Sequence, residues 1–543
     1  MFFENNDHLQ QGLFDSMSFM HPRIKTNLEK SWAGVFYREV FCKIDESAFK
    51  VLYCEDNGRP NTPVNILFSL ELIKHLFNYV DEVLVEQYHF NIQVRYALGL
   101  RDFAGNPITL RTLYAFRKRI CSYTKANPDN DLIFDQFRNL TEHFLAVANI
   151  KTTKQRVDST QVMPNIKRAG RLSVAFDVLE QAVKNCPQDL LPESLKQLLD
   201  PNFEKELLYR SKASEAKSKL QTLLDLCSEL VELAQKHQPI AELESVQLVK
   251  RFLEEQASFD DEKGNWIAKP GKELNSDCLQ SAYDPDATFR KKGDKEHIGY
   301  VVNISETCNE ENPVQLITDF AVEKNNVHDT TLLEERLDTI KETGATELYV
   351  DGGYYSEDVI NDAQKANIDL RFTNMTGTTP NTDKLSITDF DIEGNEIKAC
   401  PAGEPSRPCY FNKKSRTLTA HFDIKKCRNC QYYDICPTKK GKKSAIINIT
   451  TKSLLAAQTR QRLKEERKEN TSKRAAIEGT NSAFKRCGAD ELRVRTLVKC
   501  RIVLGLKIIG RNIRQIWRYF TNDIRKSIKE RDRSVPNGAL IPA

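Results

Sequence analysis

One short segment constrains the whole chain. Residues 150–163, IKTTKQRVDSTQVM, alternate and are rich in Thr and Val, the pattern of a β-strand, yet the sequence on both sides is helical. Upstream, VNILFSLELIKHLFNYV (64–80), NIQVRYALGL (91–100) and TLRTLYAFRKRICSYT (109–124) carry apolar residues at helical spacing. The RPNTP stretch and a Gly105–Asn106–Pro107 turn punctuate them. Downstream, about residues 173–258, a leucine-rich helical stretch reads as an insert. Further strands appear only beyond residue 278, as HIGYVVNISE (297–306), VQLITDFAVE (314–323), ELYVDGG (347–353) and IDLRFTN (368–374). Between them lie an amphipathic helix ending at Gly344 and a serine-capped helix, SEDVINDAQKAN (356–367). The fold class is therefore α/β, a mixed sheet whose first strand is cut off from its partners by a helical insert.

At 543 residues the chain exceeds one ~100–200-residue domain, so several are expected. No apolar run approaches the ~18 residues of a membrane helix, and the first residues lack the pattern of a signal peptide, so the expected compartment is the cytoplasm. The net charge of +4 hides a strong asymmetry. Residues 451–530 hold 21 Lys/Arg against 8 Asp/Glu, and residues 400–443 hold 11 against 3, leaving −17 on the rest. Such a basic last third suits a polyanion, or else a set of solvated helix faces. It continues as a long charged helix (453–486) and a basic amphipathic one (492–520).

Three acids occupy positions that phosphodiester chemistry requires. Asp158 lies within or at the end of the first strand, Asp351 directly after a later one, and Glu478 on the long charged helix. Neighbouring strand ends in a mixed sheet come close despite their separation in sequence, and a helix packed across them adds a third carboxylate. Three hard oxygen donors so placed bind two Mg²⁺ (or Mn²⁺) ions ~3.5–4 Å apart. At ~100° per residue, Arg474, Glu478 and Lys485 fall within about 40° of one another, so one helix face offers a ligand flanked by two phosphate-binding cations, with Asn481 and Arg486 nearby. Bland readings stand beside this one: an i,i+4 ion pair for Arg474–Glu478, a turn residue for Asp351, an N-cap for Asp158. His328-Asp329 reads as the start of a helix, with Asp329 a structural or DNA-adjacent first-turn acid.

Of fourteen cysteines, five fall within 37 residues. Cys427-x2-Cys430-x5-Cys436, with Cys400, makes a quartet suited to a structural Zn²⁺. Cys409 is the spare ligand and His421 an outside candidate.

Taken in order, these segments resemble a bacterial insertion-sequence transposase of the DDE type. Asp158-Ser-Thr resembles the family's first acidic motif, Tyr349-Val-Asp351-Gly-Gly-Tyr354 the second, and Arg474-x3-Glu478-x6-Lys485 the signature around the third. Thr471 stands where the family usually carries a tyrosine. AYDPDATF (282–289), GYVVN (299–303), Asn326-Val-His328-Asp329 and the helical segments before residue 121 also match. The resemblance implies an RNase H-like core that cuts and joins transposon-end DNA. It implies as partners the terminal inverted repeats and target DNA (double-stranded), and a homodimer or larger assembly joining two ends. The implied organisation is 1–150 an all-helical N-terminal DNA-binding domain; 151–172 and 278–376 the first parts of the core; 173–277 a helical insert; 377–450 a small Cys-rich zinc-binding insert; 451–490 the catalytic helix completing the core; and 491–543 a basic helical tail. Helix 109–121, with Arg111, Arg117, Lys118 and Arg119, resembles a helix-turn-helix, or is a helix merely displaying cations. Alternatives are a catalytically inactive DNA-binding derivative and a nuclease without strand transfer.

Overall fold

The computed structural model describes residues 1–9, 15–54, 58, 60–102, 107–209, 213–262, 264–375, 377 and 381–534. Gly105 and Asn106 of the expected turn, and residues 535–543 of the expected tail, lie outside the described residues. The isolated strand is β1 (Lys154–Val162), and the other strands of its sheet come from after residue 287. From β1 the chain runs into helices Arg171–Asn185, Ala216–Lys236 and Glu244–Gln256, then a hairpin of β2 (Ala257–Asp260) and β3 (Asn265–Ala268). It returns as β4 (Thr288–Lys292), β5 (Lys295–Thr307), β6 (Ile317–Lys324), β7 (Glu347–Val350) and β8 (Asp369–Phe372).

β1 is paired on both edges. It runs antiparallel to β5, with Asp158 opposite Ile304, and parallel to β7, with Arg156 opposite Tyr349. β6 extends the antiparallel side and β8 the parallel side, giving the order β6–β5–β1–β7–β8, while β4 pairs with the first residues of β5. Parallel neighbours need crossover connections, and helices Asp329–Glu334, Leu337–Glu342 and Glu357–Lys365 supply them. Ser356 caps the last, its side chain accepting from the Val359 N–H, as expected.

Each sheet face has its own core. Val157, Val350 and Phe372 pack with Leu333, Ile340 and Val359 of the crossover helices. Val162, Val302, Ile317 and Phe320 join Ile133 and Phe137 of the N-terminal helices and Leu504, Ile508 and Ile513 of the C-terminal helix (Leu497–Ser534). The helices of the insert bury a separate cluster around Leu179, Leu224 and Phe252. The Cys-rich segment is β-structure, which its sequence did not announce. A hairpin of β9 (Asp391–Glu393) and β10 (Glu396–Ala399) precedes a sheet of β11 (Cys409–Asn412), β12 (Thr417–Asp423), β13 (Lys439–Lys440) and β14 (Ser444–Thr450) in the order β11–β12–β14–β13. From β14 the 34-residue bridging helix (Thr451–Phe484) runs back to the main sheet.

As far as it is described, the C-terminal helix of the expected basic tail packs as a core element, and several of its cations are engaged inside the protein. Arg501 pairs with Glu323 at 2.8 Å, Arg514 donates to the Leu76 carbonyl, and Lys507 is 6% exposed. Gly505 permits the close packing, since a Cβ there would sit 2.8 Å from Ile133 Cγ2. Among the described residues no helix is long and apolar enough to cross a membrane.

Burial pushes the Lys507 ammonium down to about 8. The unfolded chain holds that proton more tightly, so this residue's destabilising contribution is full below pH 8 and fades as pH rises toward the ordinary lysine value near 10.4. A depression of this size is worth about 3 kcal/mol, less about 1 for the Lys507 Nζ–Cys487 carbonyl hydrogen bond. Lys507→Met should therefore raise unfolding free energy by about 2 kcal/mol at pH 7, with the gain shrinking by pH 10. Denaturant titration at the two pH values checks this, and a destabilised variant at pH 7 would refute it.

Candidate active site

Because β1 and β7 are adjacent and parallel, Asp351, just past β7, comes level with Asp158 on β1. The bridging helix lays Arg474 between them. Its Nη2 donates to Asp158 Oδ1 at 2.8 Å and to Asp351 Oδ2 at 3.3 Å, and its Nη1 lies 3.9 Å from Glu478 Oε1. The three acids singled out in the sequence thus converge on one guanidinium. Asn481 Nδ2 donates to the other Asp158 oxygen at 2.9 Å, and the Gly353 N–H donates to Asp351 Oδ1 at 2.8 Å. Glu478 is the outer member, its side chain 70% exposed against 15% for Asp158.

A buried ion pair sets the helix in place. Arg156 on β1 donates from Nε to Glu306 Oε2 on β5 at 2.8 Å. Arg156 Nη1 also reaches the Lys473 carbonyl at 3.0 Å, and the Thr480 hydroxyl donates to Glu306 Oε1 at 2.7 Å. Both residues are less than 8% exposed, so the pair is worth most as a positional clamp. Lys473 and Thr480 bracket Arg474 and Glu478. Farther along, Arg462 pairs with Asp369, Arg371 with Glu466, and Asn470 donates to the Phe372 carbonyl.

Sequence reasoning missed the inner wall. Asp329 starts its helix as expected, but it is buried beside the cluster, accepting from Ser159 Oγ at 2.9 Å and from Arg290 Nη2 at 3.2 Å. A Cβ on Gly353 would lie 2.9 Å from Asp351 Oδ1 and 3.4 Å from Asp329 Oδ2, so only glycine fits between those carboxylates. Burial and the nearby Asp329, Asp158 and Asp351 hold the Tyr354 hydroxyl far above its ordinary value, in its neutral form. Burial also pushes the Asp158 carboxyl up, with the Arg474 charge opposing it. The Ser-Thr and Gly-Gly-Tyr flanking the two aspartates were the available signals for Ser159 and Tyr354; nothing local marked Arg290. Glu357, an acid six residues after Asp351 that starts the helix Glu357–Lys365, lies elsewhere, accepting from Thr451 Oγ1 at 2.9 Å.

The remaining candidates divide. Arg486 and Arg111 are exposed, and Lys485 pairs with Asp490 at 2.9 Å. Arg117, expected among the DNA-contacting cations, is instead held by Glu71 at 2.8 Å and by both oxygens of Asp81 at 2.7 and 2.8 Å. Asn481, expected to face DNA, is buried against Asp158. Cys400, Cys427, Cys430 and Cys436 all line one cavity of ≈ 20 Å³. Cys409 is not among its walls and accepts from the Ile397 N–H, while both ring nitrogens of His421 are engaged by Tyr410 and Ser444. Among the described residues no group of three or more His, Cys, Asp or Glu is spaced as it would be around a metal ion.

Two segments match known families. A family described as a transposase DDE domain matches residues 399–517, and a transposase domain (DUF772) matches residues 26–119. The first includes Arg474, Glu478 and the cysteine quartet; neither reaches Asp158 or Asp351. Over those two segments the chain is similar to transposases. No curated protein and no solved structure matches the chain.

Removing Arg474 strands two largely buried carboxylates, so Arg474→Met should cost about 2 kcal/mol of stability. Adding Asp158→Asn and Asp351→Asn should recover part of that loss, because the repulsion goes with the charges. Thermal unfolding of the two variants tests this; a triple variant no more stable than Arg474→Met would show that the guanidinium is not their counter-ion.

Proposed function

We propose that the chain is a metal-dependent DDE transposase, cleaving at insertion-sequence ends and transferring the freed 3′-OH into target DNA. The observation that carries this reading is the convergence of Asp158, Asp351 and Glu478 on one cation. The strand order β6–β5–β1–β7–β8, antiparallel on one side of β1 and parallel on the other, supports an RNase H-like core. All three acids offer hard oxygen donors with surplus negative charge, which suits Mg²⁺ or Mn²⁺. Two such ions, when bound, supply an activated water or 3′-hydroxyl and neutralise the leaving oxygen.

The protein's own part is positioning and charge. Asp158 and Asp351 are fixed by hydrogen bonds on the sheet, and Glu478 closes the set from the solvent side, where a DNA strand arrives. Lys485 and Arg486, just past the bridging helix, attract and orient phosphate oxygens, while Arg474, expected among the phosphate-binding cations, is instead held between Asp158 and Asp351 and balances them. The N-terminal helices, with Arg111 exposed, and the basic module around β11–β14 add contacts to double-stranded DNA. Joining two transposon ends requires at least a homodimer. The four thiols sharing one cavity support a structural Zn²⁺ that ties β10 to the Cys427–Cys436 loop.

Two experiments test these readings. With Mn²⁺ and end-containing DNA, Glu478→Gln should lower cleavage by about a thousandfold or more, as loss of a ligand that stabilises transition-state charge requires, while Glu357→Gln stays within a few fold of wild type. Near-normal cleavage by Glu478→Gln would refute the assignment, and nicks without joined products would reduce the reading to a nuclease. For the second centre, purified protein should carry about one Zn²⁺ per chain, lost on Cys427→Ser with Cys430→Ser. Unchanged zinc content in that double variant would rule out the quartet.

A further inference from the structure

The arginine in the carboxylate cluster stands where a bridging divalent ion would have to sit. Arg474 Nη2 lies 2.8 Å from Asp158 Oδ1 and 3.3 Å from Asp351 Oδ2, and Nη1 lies 3.9 Å from Glu478 Oε1. The remaining oxygens of the two aspartates accept from the Asn481 amide and the Gly353 N–H. Those two bonds are compatible with a metal, because a carboxylate oxygen has lone pairs enough for both. The guanidinium is not. An ion held at ~2.0–2.1 Å by Asp158 Oδ1 and Asp351 Oδ2 would lie in contact with Nη2, a donor that has no lone pair to offer. Like charge opposes the contact as well. Arg474 and an ion bridging these oxygens therefore exclude one another.

Arg474 is also held less completely than its neighbours. Arg156 commits all three guanidinium nitrogens, to Glu306 and to the Lys473 carbonyl. Arg290 divides its terminal nitrogens among the Asn325 and Val327 carbonyls and Asp329. Arg474 places both of its hydrogen bonds on one nitrogen and reaches Glu478 only at ion-pair distance. Its buried Nε has no hydrogen-bond partner among the described residues. A buried donor left unmet weakens the hold on the group that carries it. Arg156 is thus a fixed strut, whereas Arg474 is kept in place mainly by charge. Its way out is open on one side, since Glu478, one turn along the helix, is 70% exposed.

We infer that Arg474 is a built-in counter-ion that competes with divalent cations for Asp158 and Asp351, and so sets a threshold on metal uptake. Until an ion arrives, the guanidinium offsets the repulsion between two close carboxylates. When an ion takes those oxygens, Arg474 withdraws past Glu478 toward solvent. A site that is open only while the arginine is withdrawn binds metal more weakly in proportion to that fraction. The chain is then loaded only where metal is abundant enough to outcompete its own cation. The inference rests on the reading above, in which these acids hold the metal ions.

The test uses the full chain and Mn²⁺ alone, with the free ion followed by electron paramagnetic resonance and stability by thermal unfolding. Arg474→Gln and Arg474→Met should each bind Mn²⁺ about tenfold tighter than wild type, the gain expected if the site is open in about one molecule in ten. Lys468→Met, which removes an exposed cation from the same helix, should stay within about twofold of wild type. At one Mn²⁺ concentration the unfolding temperature should rise more in both Arg474 variants than in wild type, because tighter binding stabilises more. That readout holds even though the substitutions themselves destabilise the fold. Affinity equal to or weaker than wild type in both Arg474 variants would overturn the inference and make the arginine a strut that positions the acids. A tenfold gain in Lys468→Met as well would overturn it in favour of a general effect of net charge. If neither wild type nor the variants take up Mn²⁺, the metal-dependent reading itself fails, and this inference with it.

Discussion

The site depends on a clamp between a sheet and a helix, made of contacts that span 317 and 174 residues of sequence. Arg156 and Glu306, on adjacent strands, grip the bridging helix at Lys473 and Thr480. A charge pair this deeply buried gains little net stability over an apolar replacement. Its effect is to permit one rotation and one height for the helix, and that setting brings Arg474 onto Asp158 and Asp351. Without it, the i,i+4 pair Arg474–Glu478 would be an ordinary surface contact.

Much of this arrangement was legible in the sequence. Alternation and Thr/Val content marked 150–163 as a strand, and Asp158 and Asp351 were placed at strand positions that parallel pairing makes neighbours. Helical spacing placed Arg474 and Glu478 on one side of a helix. What could not be read was depth. Arg474 turns inward to 14% side-chain exposure while Glu478 stays 70% exposed, a difference set by the sheet the helix lies on rather than by the helix itself. Asp329, Ser159 and Arg290 escaped for the same reason, since their contacts join β1, β4 and a crossover helix across 39 to 170 residues.

Net charge was the least faithful guide. The last third is strongly basic, yet Lys507, Arg501 and Arg514 satisfy internal partners, because the C-terminal helix must bury its apolar face against the sheet and the N-terminal helices. Arg117 in the N-terminal helices is likewise consumed by Glu71 and Asp81. A charge count does not distinguish a cation that waits for phosphate from one that balances a buried acid. The Cys-rich segment failed differently: short strands with polar alternation, as in Thr417–Asp423, look like loop until four of them share a core.

The proposed function puts Asp158, Asp351 and Glu478 in one divalent-cation site. Its most direct test is Mn²⁺ titration followed by the electron paramagnetic resonance signal of the free ion. Wild type should take up about two ions per chain with saturation, and Asp158→Asn or Asp351→Asn should abolish that uptake in protein that unfolds at a similar temperature. Undiminished Mn²⁺ binding in both variants would show that these acids do not hold the ions.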